Sequence, residues 1–376
     1  MANVLILGGG FGGVVAAETL ATNLSREHQV TLISRDDRFL FYPALVRLAF
    51  GECDIADISF DLRKAMTERR VRFIKAEVAR ISPGSRHAML THGEVEGEMP
   101  YDYLIFALGR RLATEKVKGF YEHANHLLTP EAALKFGDAV ASFHQGRAII
   151  GNCAEAKLPI PVFETAFALS RRLQERGERD ACRITVINPN MASLEEFGGH
   201  ELATKLSRTM EEHGIEQIAD FPVSEVTAQE VRTSDGHSLG YDLLMLLPPF
   251  AGVGPVIDTG ITDSKNFIRV DDSMRVKDAE RMYAVGDSIN LRGAKTAHMS
   301  VRQAEVAATN VQAEIEGRTP SAKYEHEIRS VIDEGGRDSI YLHKKLWTDE
   351  PGDVRQGRVW RWAKLMQEAQ WLYSHG

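Results

Sequence analysis

The sequence predicts an α/β protein with two Rossmann-like domains and a short C-terminal helical element. Three observations carry that expectation. An apolar run at the N-terminus leads into a glycine turn and a helical pattern. Strand and helix patterns then alternate along most of the chain, which implies parallel sheets. After Tyr324 the composition shifts, and Trp, Arg and Lys accumulate. The 376 residues suit two domains and a tail better than one core. The boundaries read as 1–113 joined with 250–325, then 114–249, then 326–376.

Val4–Leu7 is a short continuous apolar run, as a buried parallel strand requires. Gly8–Gly13 is the turn, Val14–Leu24 has helical spacing, and Val30–Ile33 is the second strand. Together they make a βαβ unit of dinucleotide-fold length. Further strands are expected at Val71–Ala76, Tyr103–Ala107, Ala148–Ile150, Ile184–Ile187, Leu243–Leu247 and Met282–Ala284. Helices are expected at Pro130–Phe143, Pro161–Arg176, Leu202–His213 and Ser300–Glu316. No tandem repeat or low-complexity tract is present.

Composition excludes several classes. A net charge of -8 argues against a nucleic-acid partner, which would favour a basic face. Cys53, Cys153 and Cys182 are too few and too scattered for a disulfide framework, which fits a reducing compartment. The start lacks a charged n-region and cleavable apolar stretch. The longest apolar stretch, Leu243–Ile257, is broken by prolines and glycines, so nothing reads as a membrane span. These features place the chain in the cytoplasm, with peripheral contact on the inner membrane face as the variant. The 13 histidines show no metal-binding spacing, so no metal is expected.

Gly8, Gly10 and Gly13 form G-x-G-x-x-G between the first strand and helix. The first glycine permits the tight turn. The second lets backbone approach a pyrophosphate, and the third lets helix pack on strand. The phosphate then meets free N–H groups and the positive helix end. A glycine turn with no ligand is the plainer alternative. The second strand of such folds usually ends on an acidic residue that binds ribose. Here VTLIS puts Ser34 in that place, followed by Arg35. Far downstream, Arg281–Ser288 reads RMYAVGDS. Asp287 at that strand end can accept a hydrogen bond from a ribityl hydroxyl. The helix after it can turn its positive end to a flavin and stabilise the reduced anion.

With both signatures present, the chain resembles the two-dinucleotide-binding-domain flavoproteins over roughly residues 1–320. Among them it is most similar to the sulfide:quinone oxidoreductases, with flavocytochrome c sulfide dehydrogenases and type II NADH dehydrogenases as relatives. LILGGGFGG, VTLISRDDRFLFYPAL, YDYLIFALGRR and MYAVGDS with K-x-x-H after it carry the resemblance. It implies an FAD-dependent oxidoreductase. Gly8, Gly10, Gly13, Ser34, Arg35, Val78, Gly109 and Asp287 would contact FAD in a discontinuous domain, 1–113 with 250–325. Lys295 would act beside the flavin at the quinone end, and His298 follows it by three residues. The implied acceptor is a quinone and the implied donor a small sulfur compound.

An NAD(P)H-using relative carries a second glycine fingerprint after the strand near Ala148. This chain reads AIIGNCAEAKLPIPVFETAFAL, with Gly151 alone and Cys153, Glu155 and Lys157 crowding the loop. Bulky side chains block close backbone approach, so tight NAD(P)H binding is disfavoured. By the resemblance, Cys153 attacks sulfur as a thiolate, helped by Lys157 or a helix N-terminus. A small buried cysteine filling a turn is the alternative. The resemblance also implies partner cysteines, but Ser330 stands at one such position, in SVIDEGG, and Leu128 precedes Thr129 at the other. Serine does not replace a redox thiol. Three readings stay open: sulfur oxidation through one cysteine, another donor such as NAD(P)H, or a flavin-bearing relay that has lost its donor site. Cys182 reads as packing. Cys53 stands alone without the C-x4-C of disulfide reductases.

In the tail, Val359, Trp362, Ala363, Met366, Ala369 and Tyr373 recur at helical spacing. Trp360 and Trp371 flank them, and Arg355, Arg358, Arg361 and Lys364 lie near the start. Such a helix suits a membrane interface. Packing on its own domain or on a second subunit is the alternative, and a homo-oligomer is compatible with either.

Overall fold

The structure, a computed structural model, describes residues 1–189, 192–348 and 350–376. Strands β1 (Asn3–Leu7), β2 (Gln29–Ser34), β3 (Arg72–Lys75) and β4 (Tyr103–Phe106) come first. The middle of the chain supplies β5 (Gly146–Asn152), β6 (Cys182–Ile187), β7 (Ile215–Ile218) and β8 (Leu243–Leu247). The chain then returns to the first sheet with β9 (Met282–Ala284) and ends with β10 (Glu327–Asp333), β11 (Ser339–Lys345) and β12 (Asp353–Gln356). The helices that matter here are α1 (Phe11–Asn23), α2 (Pro130–Ser142), α3 (Ile160–Arg176), α4 (Ala297–Ile315) and α5 (Arg358–His375).

The first sheet is parallel, in the order β9-β4-β1-β2-β3. From β1 the chain passes through α1 to β2 on one side, while β4 pairs with β1 on the other. The strand order therefore reverses beside β1, and a crevice opens at the carboxyl ends there. Val4–Leu7 are fully buried because both sheet faces are covered, which explains the unbroken apolar run. The second sheet, β7-β6-β5-β8, is also parallel. Successive residues of β8 point to opposite faces. Leu244 and Leu246 join one apolar cluster, and Met245 and Leu247 join the other.

The tail differs from a purely helical element. Alternating EIRSVID and SIYLHKK form β10 and β11, which pair antiparallel with β12 before α5 begins. The alternation has period two, the strand period, and basic and aromatic composition masks it.

Helix α5 packs with its charged side inward. Lys364 pairs with buried Glu164 of α3. Glu368 meets Arg47 at 2.7 Å, and Arg361 meets Asp333 at 2.9 Å. Trp371 packs on Phe11 at 4.9 Å between ring centroids. The stripe read from the sequence faces outward instead: Val359, Trp362, Met366 and Tyr373 are 65%, 67%, 70% and 90% exposed. Two of the four basic residues expected beside that stripe, Arg361 and Lys364, thus belong to the inner face. No helix among the described residues is long and apolar enough to cross a membrane.

Candidate functional site

The glycine turn has the three environments its chemistry needs. Gly8 sits at φ +107°, and a Cβ there would lie 2.2 Å from the Ala107 oxygen. A Cβ on Gly13 would lie 1.8 Å from the Gly8 oxygen, so only glycine lets α1 approach β1 this closely. A Cβ on Gly10 would meet nothing within 4 Å. That is open space at the head of a helix. No side chain caps the first turn of α1, and no acidic residue stands there. The donors and the positive helix end face this space, which suits the pyrophosphate of a dinucleotide.

Ser34 ends β2 beside the turn: a Cβ on Gly9 would be 2.9 Å from its hydroxyl oxygen. Its Oγ accepts from the Asp36 N–H at 3.3 Å. Arg35 is exposed beside Asp36. Val78 is buried in the first core. Gly109 adopts φ +72° with open space around it. Asp287 lies at the end of β9 in an ion pair with Arg110. Arg110 was missed by sequence reasoning, although it directly follows Gly109; its guanidinium also lies 4.1 Å from the Phe250 ring centroid. These residues and the open turn fit FAD: the glycine turn for pyrophosphate, Ser34 for ribose, Asp287 for the ribityl chain.

Helix α4 docks on this cradle. A Cβ on Gly12 would meet the Ser300 oxygen at 3.5 Å, and one on Gly286 the Ser300 hydroxyl at 2.9 Å. Lys295 lies just before the helix, capped by Thr296. Its ammonium donates to the Ile289 oxygen at 2.6 Å and sits 4.6 Å from the Phe267 ring centroid. Burial pulls Lys295 down to about 7, so this group can hold or release a proton near neutrality.

The second cradle is dismantled. At α3, Pro159 is the N-cap and Pro161 lies in the first turn; neither has an N–H. The Val162 N–H is spent on the Pro159 oxygen at 3.1 Å. Few donors remain for a phosphate. A Cβ on Gly151 would lie 2.4 Å from the Ile187 side chain, so this glycine serves strand packing.

The loop after β5 is stitched to the flavin side by the Lys295 N–H, which donates to the Lys157 oxygen at 2.8 Å. The thiol of Cys153 turns the other way. It is fully buried in an apolar cluster with Phe120, Phe221 and Leu246. Burial alone pushes it up to about 12. No charge from Lys157 offsets that burial, so near neutral pH it is a thiol. Cys182 is buried and Cys53 half-buried, and all three cysteines are free. No group of metal-ligating side chains assembles among the described residues.

His326, beside the Lys295 loop, drew no attention in the sequence. It is 9% exposed and stacks on Trp347 at 4.2 Å with planes 2° apart. Neither ring nitrogen closes a hydrogen bond of normal geometry. Burial pulls it down to about 4, and the Arg292 backbone offsets part of that. A histidine whose folded value lies below the unfolded value of about 6.5 contributes its full stability above that pH. The contribution is lost as pH falls toward 4. The loss amounts to roughly 3 kcal/mol at most. Urea midpoints at pH 7.5 and 4.5 should differ more in wild type than in His326→Phe; equal differences would refute the assignment.

The profile of the pyridine nucleotide-disulphide oxidoreductases matches residues 2–307. An alternative NAD(P)H-ubiquinone oxidoreductase of Arabidopsis thaliana is 25% identical over 84% of this chain and 68% of its own. A sulfide-quinone reductase of Aquifex aeolicus is 28% identical over 69% of this chain. The chain spans 61% of that relative's length in this comparison. The solved sulfide:quinone oxidoreductase of Aquifex aeolicus superposes with a TM-score of 0.93 at 23% identity, covering 100% of this chain and 91% of that one.

Proposed function

The chain belongs to the pyridine nucleotide-disulphide oxidoreductase family and is an FAD-dependent oxidoreductase, and from that premise we propose that it passes electrons from a small sulfur donor through FAD to a quinone. One observation carries the choice of donor class. The first glycine cradle is open and uncapped, while the second, where a nicotinamide nucleotide would bind, has lost its donors to Pro159, Pro161 and Val162. Relatives of both the sulfide and the NAD(P)H kind reduce quinones by name, which supports the acceptor.

When bound, FAD supplies reversible two-electron storage. The chain's residues supply the rest. Gly8, Gly10 and Gly13 admit the pyrophosphate, with Ser34, Arg35, Val78, Gly109 and Asp287 along the cofactor. Arg110 holds Asp287 in place. Lys295 offers a proton close to neutral pH at the acceptor side. Cys153, on the loop after β5, is the thiol that would take the sulfur step in this reading. The outward apolar stripe of α5 would rest on a membrane surface and bring quinone within reach.

A second reading is favoured by the burial of Cys153 and by Ser330: a quinone-reducing flavoprotein whose sulfur site has been lost. Anaerobic titration of the FAD-loaded protein with sulfide, a persulfide and NADH in parallel separates them. The first reading expects bleaching by sulfide or persulfide, little by NADH, and loss of bleaching in Cys153→Ala. Bleaching that survives Cys153→Ala removes Cys153 from the route. A flavin indifferent to both sulfur compounds favours the second reading, and rapid bleaching by NADH refutes the donor assignment.

A further inference from the structure

Phe11 is the one side chain between Gly8 and Gly13, in the run GGGFGG. It opens α1, and with Gly12 and Gly13 it makes the first helical turn, the turn whose N–H groups face the open cradle. No side chain caps that turn. Glycine is a poor helix former, because its backbone has the most freedom to lose. Side-chain packing can hold the turn only through Phe11.

The buried Phe11 ring meets three others. Phe39 lies at 5.0 Å with planes 81° apart, and Phe41 at 5.3 Å with planes 69° apart. Trp371, from the far end of the chain, lies at 4.9 Å. Its indole is also 6.1 Å from Phe39, so it closes the group. The end of α5 is fixed beside α1 here. His375 Nδ1 lies 2.6 Å from one Glu18 oxygen, and Arg69 Nε lies 3.0 Å from the other. The Arg69 guanidinium also donates to the Ser374 oxygen at 2.7 Å. The His375 ring lies 3.9 Å from that of Trp371. Glu18 follows Phe11 by seven residues and so shares its face of α1. The last turns of α5 therefore run along the helix that heads the cofactor cradle.

We propose that Trp371 is a positioning residue for FAD: through Phe11 it holds the first turn of α1 in the arrangement that receives the pyrophosphate. A turn that is already ordered loses less freedom when it binds an anion. Linkage makes the effect mutual. A seated α5 strengthens FAD binding, and bound FAD strengthens the seating of α5 by the same factor. The inference needs only the cofactor; neither the sulfur donor nor the quinone enters it.

Two measurements on the full chain test this. In the first, apoprotein is titrated with FAD and the dissociation constant is read from the change in flavin fluorescence. Trp371→Ala should bind FAD at least about tenfold more weakly. Trp371→Phe should recover most of the affinity, and Trp362→Ala, on the outward row of the same helix, should match wild type. If Trp371→Ala fails to fold by circular dichroism, Trp371→Leu takes its place. In the second, hydrogen exchange of peptides covering residues 368–376 is followed by mass spectrometry with and without FAD. In wild type FAD should slow exchange there about tenfold or more, and the slowing should vanish in Trp371→Ala. A tail that is only structural would exchange at one rate in both states. Equal dissociation constants for wild type and Trp371→Ala overturn the proposal, as does exchange over 368–376 that ignores FAD.

Discussion

Gly10→Val is expected to give a folded, colourless protein. The backbone at Gly10 has φ -84° and ψ -170°, a conformation that valine adopts freely. Its Cβ would meet nothing within 4 Å, so stability should change by less than about 1 kcal/mol. The new isopropyl group would occupy the space into which the first-turn N–H groups of α1 point. FAD affinity should fall at least about 100-fold, or about 2.7 kcal/mol. Gly13→Val makes the opposite split. Its Cβ would sit 1.8 Å from the Gly8 oxygen, so β1 and α1 must separate, and the fold should lose about 3 kcal/mol or more. Urea midpoints by circular dichroism and flavin content by visible absorption check both variants. A Gly10→Val protein that keeps a full complement of flavin would place the pyrophosphate somewhere else.

Those glycines were legible because each role is local: a turn, an approach, a strand–helix contact within a few residues. The strands around them were legible too, since an unbroken run such as Val4–Leu7 has few other homes. Direction was not legible. Cys153 lies on the loop that touches the Lys295 turn, yet its thiol sits in the far apolar cluster. One backbone rotation decides that, and no side-chain pattern reports it. The same holds for α5. Periodicity shows which residues share a face, not which face meets the protein. Arg110 and His326 depend on segments up to 177 residues apart, so only the folded chain assembles their surroundings.

Lys364→Met should cost about 3 to 5 kcal/mol at pH 8. Lys364 is the cationic partner of Glu164, whose side chain is 5% exposed. The same carboxylate accepts from the Asp333 N–H at 2.9 Å. Even with Lys364 present, burial leaves the Glu164 carboxyl raised above its ordinary range. Removing the ammonium strands a buried charge. A carboxyl raised in the folded state binds its proton more tightly there than when unfolded, so the penalty should shrink as pH falls and Glu164 becomes neutral. The double variant Glu164→Gln/Lys364→Met should recover most of the loss. Limited proteolysis should cut Lys364→Met near α5 well before wild type. A single variant within about 1 kcal/mol of wild type at pH 8 would show that the tail is held by its aromatic contacts instead.

The inverted packing of α5 separates two kinds of substitution in one helix. Replacing Trp362 or Met366 by serine takes nothing from the interior, so folding places no demand on an indole at that spot. Drift at Lys364 is punished at once, because it leaves the buried Glu164 carboxylate without its partner. Any pressure that maintains oily side chains along the outer row must therefore arise from what the molecule meets in the cell, and retention on a hydrophobic column should fall with each of them removed while the melting curve stays put.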